Sequence, residues 1–204
     1  MLNRVSMRSL SAFMIAAAVA TGALFVLVPA DDAVGQDAAA AVLQFDGDTL
    51  NRPVLGSWRT WPFLGTPLTP HDMNKGKAPF PEFHHVYIDP ASHAHYSQTG
   101  KFREGTVIVK ELVLVGGKKA SSGRGYFEGD YSGLEIAHKS AKRYPKEPGN
   151  WAYYSFGHVP PPYSATAKAQ ATESCATCHE SLADDDMVFA QYYPNLRAAR
   201  PAGK

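Results

Sequence analysis

Both cysteines of this 204-residue chain fall in one short stretch, Cys175-Ala176-Thr177-Cys178-His179. Two thiols three positions apart, followed at once by an imidazole, suit covalent haem attachment. Each thiol adds to a haem vinyl group as a thioether, and the histidine comes beneath the iron as its axial ligand. No cysteine is left for a disulfide. Two other chemistries compete for the spacing. A structural zinc site would need further Cys or His ligands at a matching distance, and a thioredoxin-like dithiol would need a βαβ setting and has no use for His179. Cys175 and Cys178 are the expected cofactor attachments and His179 the expected iron ligand.

Lys110 is the second residue whose setting could do chemistry. Residues 105–115 are rich in Val, Ile, Leu and Thr and read as a strand ended by Gly116-Gly117. Period-two alternation puts Thr106, Ile108, Lys110, Leu112 and Leu114 on one face, with Val107, Val109, Glu111, Val113 and Val115 on the other. Each face is apolar except for one charge, so both are expected to be at least partly covered. A lysine so placed either snorkels to water or pairs with an acid. The sharper reading is a desolvated amine able to act as a nucleophile.

Other elements must position these groups. His84–Asp89 reads as a short strand closed by Pro90, residues 126–136 as a strand after a turn at 120–125, and Trp151–Val159 as an aromatic strand ending at Pro160-Pro161-Pro162. Residues 50–69, dense in Pro, Gly and Trp, suggest irregular loop or a short helix. Residues 165–185 have helical composition and carry the Cys-His motif. Strands separated by turns, without a βα alternation, predict an α+β fold: a mainly antiparallel sheet with a few helices, the C-terminal one carrying the haem motif. The ordinary small electron-transfer cytochrome c, all-helical with its motif near the mature N-terminus, is a poor match.

Arg4 and Arg8 precede an uncharged run of small and apolar residues to Ala30, the layout of a secretory signal. Cleavage is expected after Ala30 or as late as Gly35, with an uncleaved anchor as the alternative. Residues 31–49 read as a flexible leader, 50–196 as one haem-binding domain and 197–204 as a frayed tail. Removing residues 1–30 leaves 18 basic residues against 19 acidic ones, a net charge of −1. That balance gives no support to nucleic-acid binding. The folded part is expected in the periplasm.

Blocks along the chain carry a resemblance to one family. Lys77-Ala78-Pro79-Phe80, Val86-Tyr87-Ile88-Asp89-Pro90, Thr99-Gly100-Lys101-Phe102-Arg103, Val109-Lys110-Glu111-Leu112-Val113, Gly125-Tyr126-Phe127, Gly129-Asp130-Tyr131, Glu147-Pro148-Gly149-Asn150-Trp151-Ala152 and Asp186-Met187-Val188-Phe189 occur in the family's order. From about Trp58 to Arg200 the chain resembles the cytochrome P-460 family. The resemblance implies a homodimer of mainly antiparallel fold with one haem c, and a strand lysine, here Lys110, bonded to a meso carbon of the haem. It also implies oxidation of hydroxylamine, chiefly to nitrous oxide, with a second activity on nitric oxide and electrons passed to a soluble cytochrome.

Such a reaction releases protons, so a distal base is expected. Some members of the family carry a carboxylate just before the haem motif, where this chain offers Gln170 and, closer to Cys175, Glu173. Gln170 could orient a substrate but could not accept a proton. His84 and Phe80 are further distal-side candidates, while His85, His93 and His95 read as surface or turn residues. Met187, eight residues after His179, reads as packing rather than as a sixth ligand. The alternative function is a non-catalytic nitric-oxide-binding protein similar to the sheet-type cytochromes c-prime, which lack the lysine link. Simple electron transfer would need a sixth iron ligand.

Overall fold

The structure, a computed structural model, describes residues 43–203. The expected signal segment therefore lies outside the described residues. Among the described residues eight strands run in the order β1 (Gln44–Asp46), β2 (Thr49–Asn51), β3 (Phe63–Gly65), β4 (Phe83–Ile88), β5 (Val107–Ala120), β6 (Gly123–Lys139), β7 (Trp151–Ser155) and β8 (Thr166–Lys168). Helix α1 is Pro90–Thr99, α2 is Ala176–Leu182 and α3 is Pro194–Ala199. Strands β3 to β7 form an antiparallel sheet in chain order, and β1, β2 and β8 form a second, small antiparallel sheet. The fold is α+β, as the sequence predicts.

Alternation along β5 has the consequence expected of it. Val107 and Val109 pack with Leu134, Ile136, Tyr154, Trp58 and Phe156 on one face. Ile108 packs with Val86, Ile88, Trp151, Met187 and Leu196 on the other. Each side chain of this size removed from water contributes about 1.5–3 kcal/mol, so both faces of the central strand are anchored. The two charges are answered separately. Glu111, fully buried, accepts from Arg59 Nε at 2.9 Å and from its terminal nitrogen at 2.7 Å, and Lys110 pairs with Glu135 across the β5–β6 register.

Several elements depart from the sequence-based expectation. Gly116 and Gly117 do not end β5, because a Cβ on Gly116 would stand 2.6 Å from Gly129 Cα: two glycines let bulged strands cross closely. Gln44–Asp46, expected in a flexible leader, pairs with Thr49–Asn51. Within 165–185 only Ala176–Leu182 is helical; Thr166–Lys168 is a strand whose alternation sends Ala167 into the core. The expected frayed tail is held at Arg200, which donates to Tyr96 Oη at 2.8 Å and pairs with Asp185. Helix α1 follows the Pro90 read as a strand stop. Asp89 caps it by accepting from Ser92 N at 2.9 Å, Pro90 supplies the first turn, and Gly100 at φ 70° ends it.

On the face away from Lys110, His138 Nδ1 lies 3.0 Å from Tyr144 Oη, which lies 2.7 Å from Tyr154 Oη. Burial holds the His138 imidazole down to about 4 from an ordinary 6.5. A histidine whose folded pKa is depressed favours folding above its unfolded pKa, and that contribution is lost as pH falls. Between pH 6.5 and 4 the slope from this residue reaches about 1.4 kcal/mol per pH unit. The urea midpoint should fall on acidification through this window, and His138→Gln should flatten the fall. An unchanged slope would show that His138 titrates as in the unfolded chain.

Candidate functional site

Cys175 is the N-cap residue of α2, and Cys178 and His179 lie in its first turns. Both thiols are unbonded, Cys175 half-buried and Cys178 exposed. The imidazole of His179 is wedged between Tyr153, at 4.4 Å between ring centroids, and Phe189, at 4.7 Å. Its Nδ1 donates to the Met187 carbonyl at 2.6 Å. Burial lowers its pKa, so the ring is neutral and Nε2 keeps its lone pair. An imidazole pinned through one nitrogen and free at the other is how a metal-ligating histidine is oriented.

The carbonyl that pins it comes from a strained turn. Asp186 and Met187 adopt φ of 44° and 68°, the left-handed region that side chains other than glycine avoid at about 1–2 kcal/mol each. Asp185 and Val188 close the turn with mutual backbone hydrogen bonds of 3.3 and 2.8 Å. Tyr96 Oη donates to Asp185 Oδ2 at 2.6 Å, Arg200 pairs with the same oxygen, and Lys139 Nζ lies 3.0 Å from Asp186 Oδ2. Met187 itself is a buried core residue; its backbone oxygen, not its sulfur, serves His179.

Lys110 Nζ lies 2.5 Å from Glu135 Oε2 and 4.3 Å from the centroid of the Phe80 ring. Glu135 Oε1 faces His158 Nε2 at 3.3 Å. Phe80 stands edge-on to His84 and to His158, at 5.9 and 5.2 Å. Burial alone would raise the Glu135 carboxyl, but the hydrogen bond from His158 and the charge of Lys110 hold it down to about 2. His84 is driven down to about 4, first by burial and then by Lys110. The Cys175 thiol and the His179 imidazole both feel the charges of Lys110 and Glu135. The strand lysine and its carboxylate partner thus act electrostatically on the attachment helix.

The chain matches the cytochrome P460 family over residues 56–190, a span that holds Lys110, Glu135, Cys175, Cys178 and His179. It belongs to the cytochrome P460 family. No curated protein matches it. Membership supports a P460-type haem function of oxidoreductase kind, with haem c as the cofactor. The residues fit that group: two unbonded thiols on one short helix, and a neutral imidazole with one nitrogen committed and one free. Among the described residues no group of three or more His, Cys, Asp or Glu side chains is arranged to hold a bare metal ion.

Of the residues singled out in the P460 sequence, Lys110, His84 and Phe80 come together, and Cys175 and His179 feel the charge of Lys110. Gln170 and Glu173 are exposed, and among the described residues their side chains make no hydrogen bond or ion pair; Gln170 is held through its backbone N–H to Tyr153 O at 2.7 Å. Glu135 and His158 escaped sequence reasoning. Finding Glu135 required the β5–β6 register, which several bulges obscure. His158 follows Gly157 in a loop with no periodic signal.

Proposed function

We propose that this protein is a periplasmic haem c enzyme that oxidises hydroxylamine, to nitrous oxide, with a lesser activity on nitric oxide. Cys175 and Cys178 would hold the haem as thioethers, His179 would ligate the iron, and Lys110 would add a third covalent link. Once bound, the haem supplies the iron at which a small nitrogen substrate binds and gives up electrons, which pass to a soluble cytochrome. The proposed working form is a homodimer. The observation that carries this reading is the Glu135 carboxylate held between Lys110 and His158, its Oε2 2.5 Å from Lys110 Nζ and its Oε1 3.3 Å from His158 Nε2.

Glu135 takes the part of proton acceptor, for which the segment before the haem motif offered Glu173 and Gln170, the latter unable to accept a proton. With Lys110 joined to the haem, its nitrogen no longer offers Glu135 an ammonium partner. Burial, the largest influence on that carboxyl, is then opposed by His158 without Lys110, so its pKa rises from where the pair held it. His84, neutral and partly buried, stands nearby without competing for the proton.

Purified holoprotein should keep its haem on the polypeptide through acid-acetone extraction and should reduce an artificial electron acceptor when hydroxylamine is added. Haem released to the solvent would remove the thioether assignment. Tight nitric oxide binding without hydroxylamine turnover would establish the non-catalytic reading instead.

A further inference from the structure

Glu135 as acceptor leaves a second question of chemistry: its proton must reach water before the next turnover. Resting on that reading of Glu135, we infer that His158 is the proton exit of the site, a relay that receives the proton at Nε2 from the Glu135 carboxyl and delivers it to solvent.

Five observations converge on His158. Its Nε2 is 3.3 Å from Glu135 Oε1, while the other carboxylate oxygen is taken by Lys110 at 2.5 Å. Its side chain is 40% exposed against 24% for Glu135, so it reaches water where the carboxylate largely does not. The sequence makes room for it, since a Cβ on Gly133 would stand 3.1 Å from His158 Cδ2 and 2.8 Å from Leu112 Cδ1. Gly157, at φ 109°, provides the backbone turn immediately before it. The ring is held edge-on by Phe80 at 5.2 Å.

The groups that set its charge are Glu135 on β6, Lys110 on β5, and Glu82 just before β4; His84 on β4 feels it in turn. Glu135 raises the His158 pKa from 6.5, with a further push from Glu82 and opposition from burial and Lys110. An imidazole is the side chain suited to take up a proton from a neighbouring carboxyl and pass it on. The step balances simply. The protonated carboxyl gives its proton to neutral imidazole, the imidazolium releases one proton to water, and both groups return to their starting forms with no change of oxidation state.

His158→Ala should lower kcat for hydroxylamine by about 10²-fold, the low end of proton-transfer effects, with KM little changed. Its rate should then rise with added 2,6-lutidine, a proton carrier whose flanking methyls keep it off iron, while wild type should not respond. His158→Gln, which keeps a donor toward Glu135 but cannot titrate, should be as slow as His158→Ala. Independently of turnover, carbon-13 NMR of labelled histidine in the ferrous carbonyl form should place the His158 midpoint above 6.5, and Glu135→Gln should bring it down. A fast His158→Gln, no lutidine response, or a His158 midpoint at or below 6.5 would overturn the relay. A slow Glu135→Gln beside a wild-type-like His158→Ala would remove the relay and leave Glu135 as acceptor. Full activity in Glu135→Gln would instead remove the reading beneath it.

Discussion

Lys110→Arg should yield a haem c protein with the reduced absorption of an ordinary c-type cytochrome and no hydroxylamine turnover. Wild type should absorb well to the red of it. Arginine keeps a cation opposite Glu135, so the ion pair across β5 and β6 survives and the sheet should fold as before. The guanidinium cannot deliver the neutral nitrogen that a bond to the macrocycle requires. The thioether and imidazole contacts of Cys175, Cys178 and His179 are untouched by the change, so haem should still be attached. The mass of the haem peptide separates the cases: with the link, haem joins the peptide of Lys110 to that of Cys175. Identical spectra and identical haem-peptide masses in the two proteins would mean that no such bond exists and that Lys110 is simply the partner of Glu135.

Glu135→Gln should lower kcat by roughly 10²- to 10⁴-fold, the span of a positioned proton acceptor. Glutamine keeps the shape and can still accept from Lys110 and His158 through its amide oxygen, but it cannot hold a substrate proton. KM should move little, because the loss falls on proton transfer rather than on binding. Glu173→Gln, a change in an exposed side chain without a partner among the described residues, should leave the rate near wild type and serves as the control. Steady-state oxidation with an artificial acceptor measures both. A full-rate Glu135→Gln together with a crippled Glu173→Gln would return the base to the segment before the haem motif.

The central strand was legible from sequence because a period of two leaves a physical record. Ile108, Lys110 and Leu112 point one way and Val107, Val109 and Glu111 the other, in the alternation the residues spell out. The attachment group was legible for a different reason: three residues in five positions need no fold to find one another. Glu135 and His158 were not legible, since their proximity to Lys110 is created by a bulged register and a glycine loop, neither written in local composition. Helix α1 was missed although Asp89, Pro90 and Gly100 are ordinary helix punctuation, because the preceding strand made Pro90 look like a full stop. The segment 165–168 was overread as helix because its pairing partner, Thr49–Asn51, lies more than a hundred residues away.

The turn at Asp185–Val188 has a consequence for engineering. His179 takes its orientation from a carbonyl held in a left-handed conformation by Tyr96, Lys139 and Arg200, residues drawn from α1, from β6 and from the chain after α3. The five-residue motif is thus not a portable cassette. Grafted onto another scaffold, it would carry its thiols but leave behind the three clamps that aim its imidazole. A chain stopped short of Arg200 would lose one of those clamps while keeping every residue of the motif.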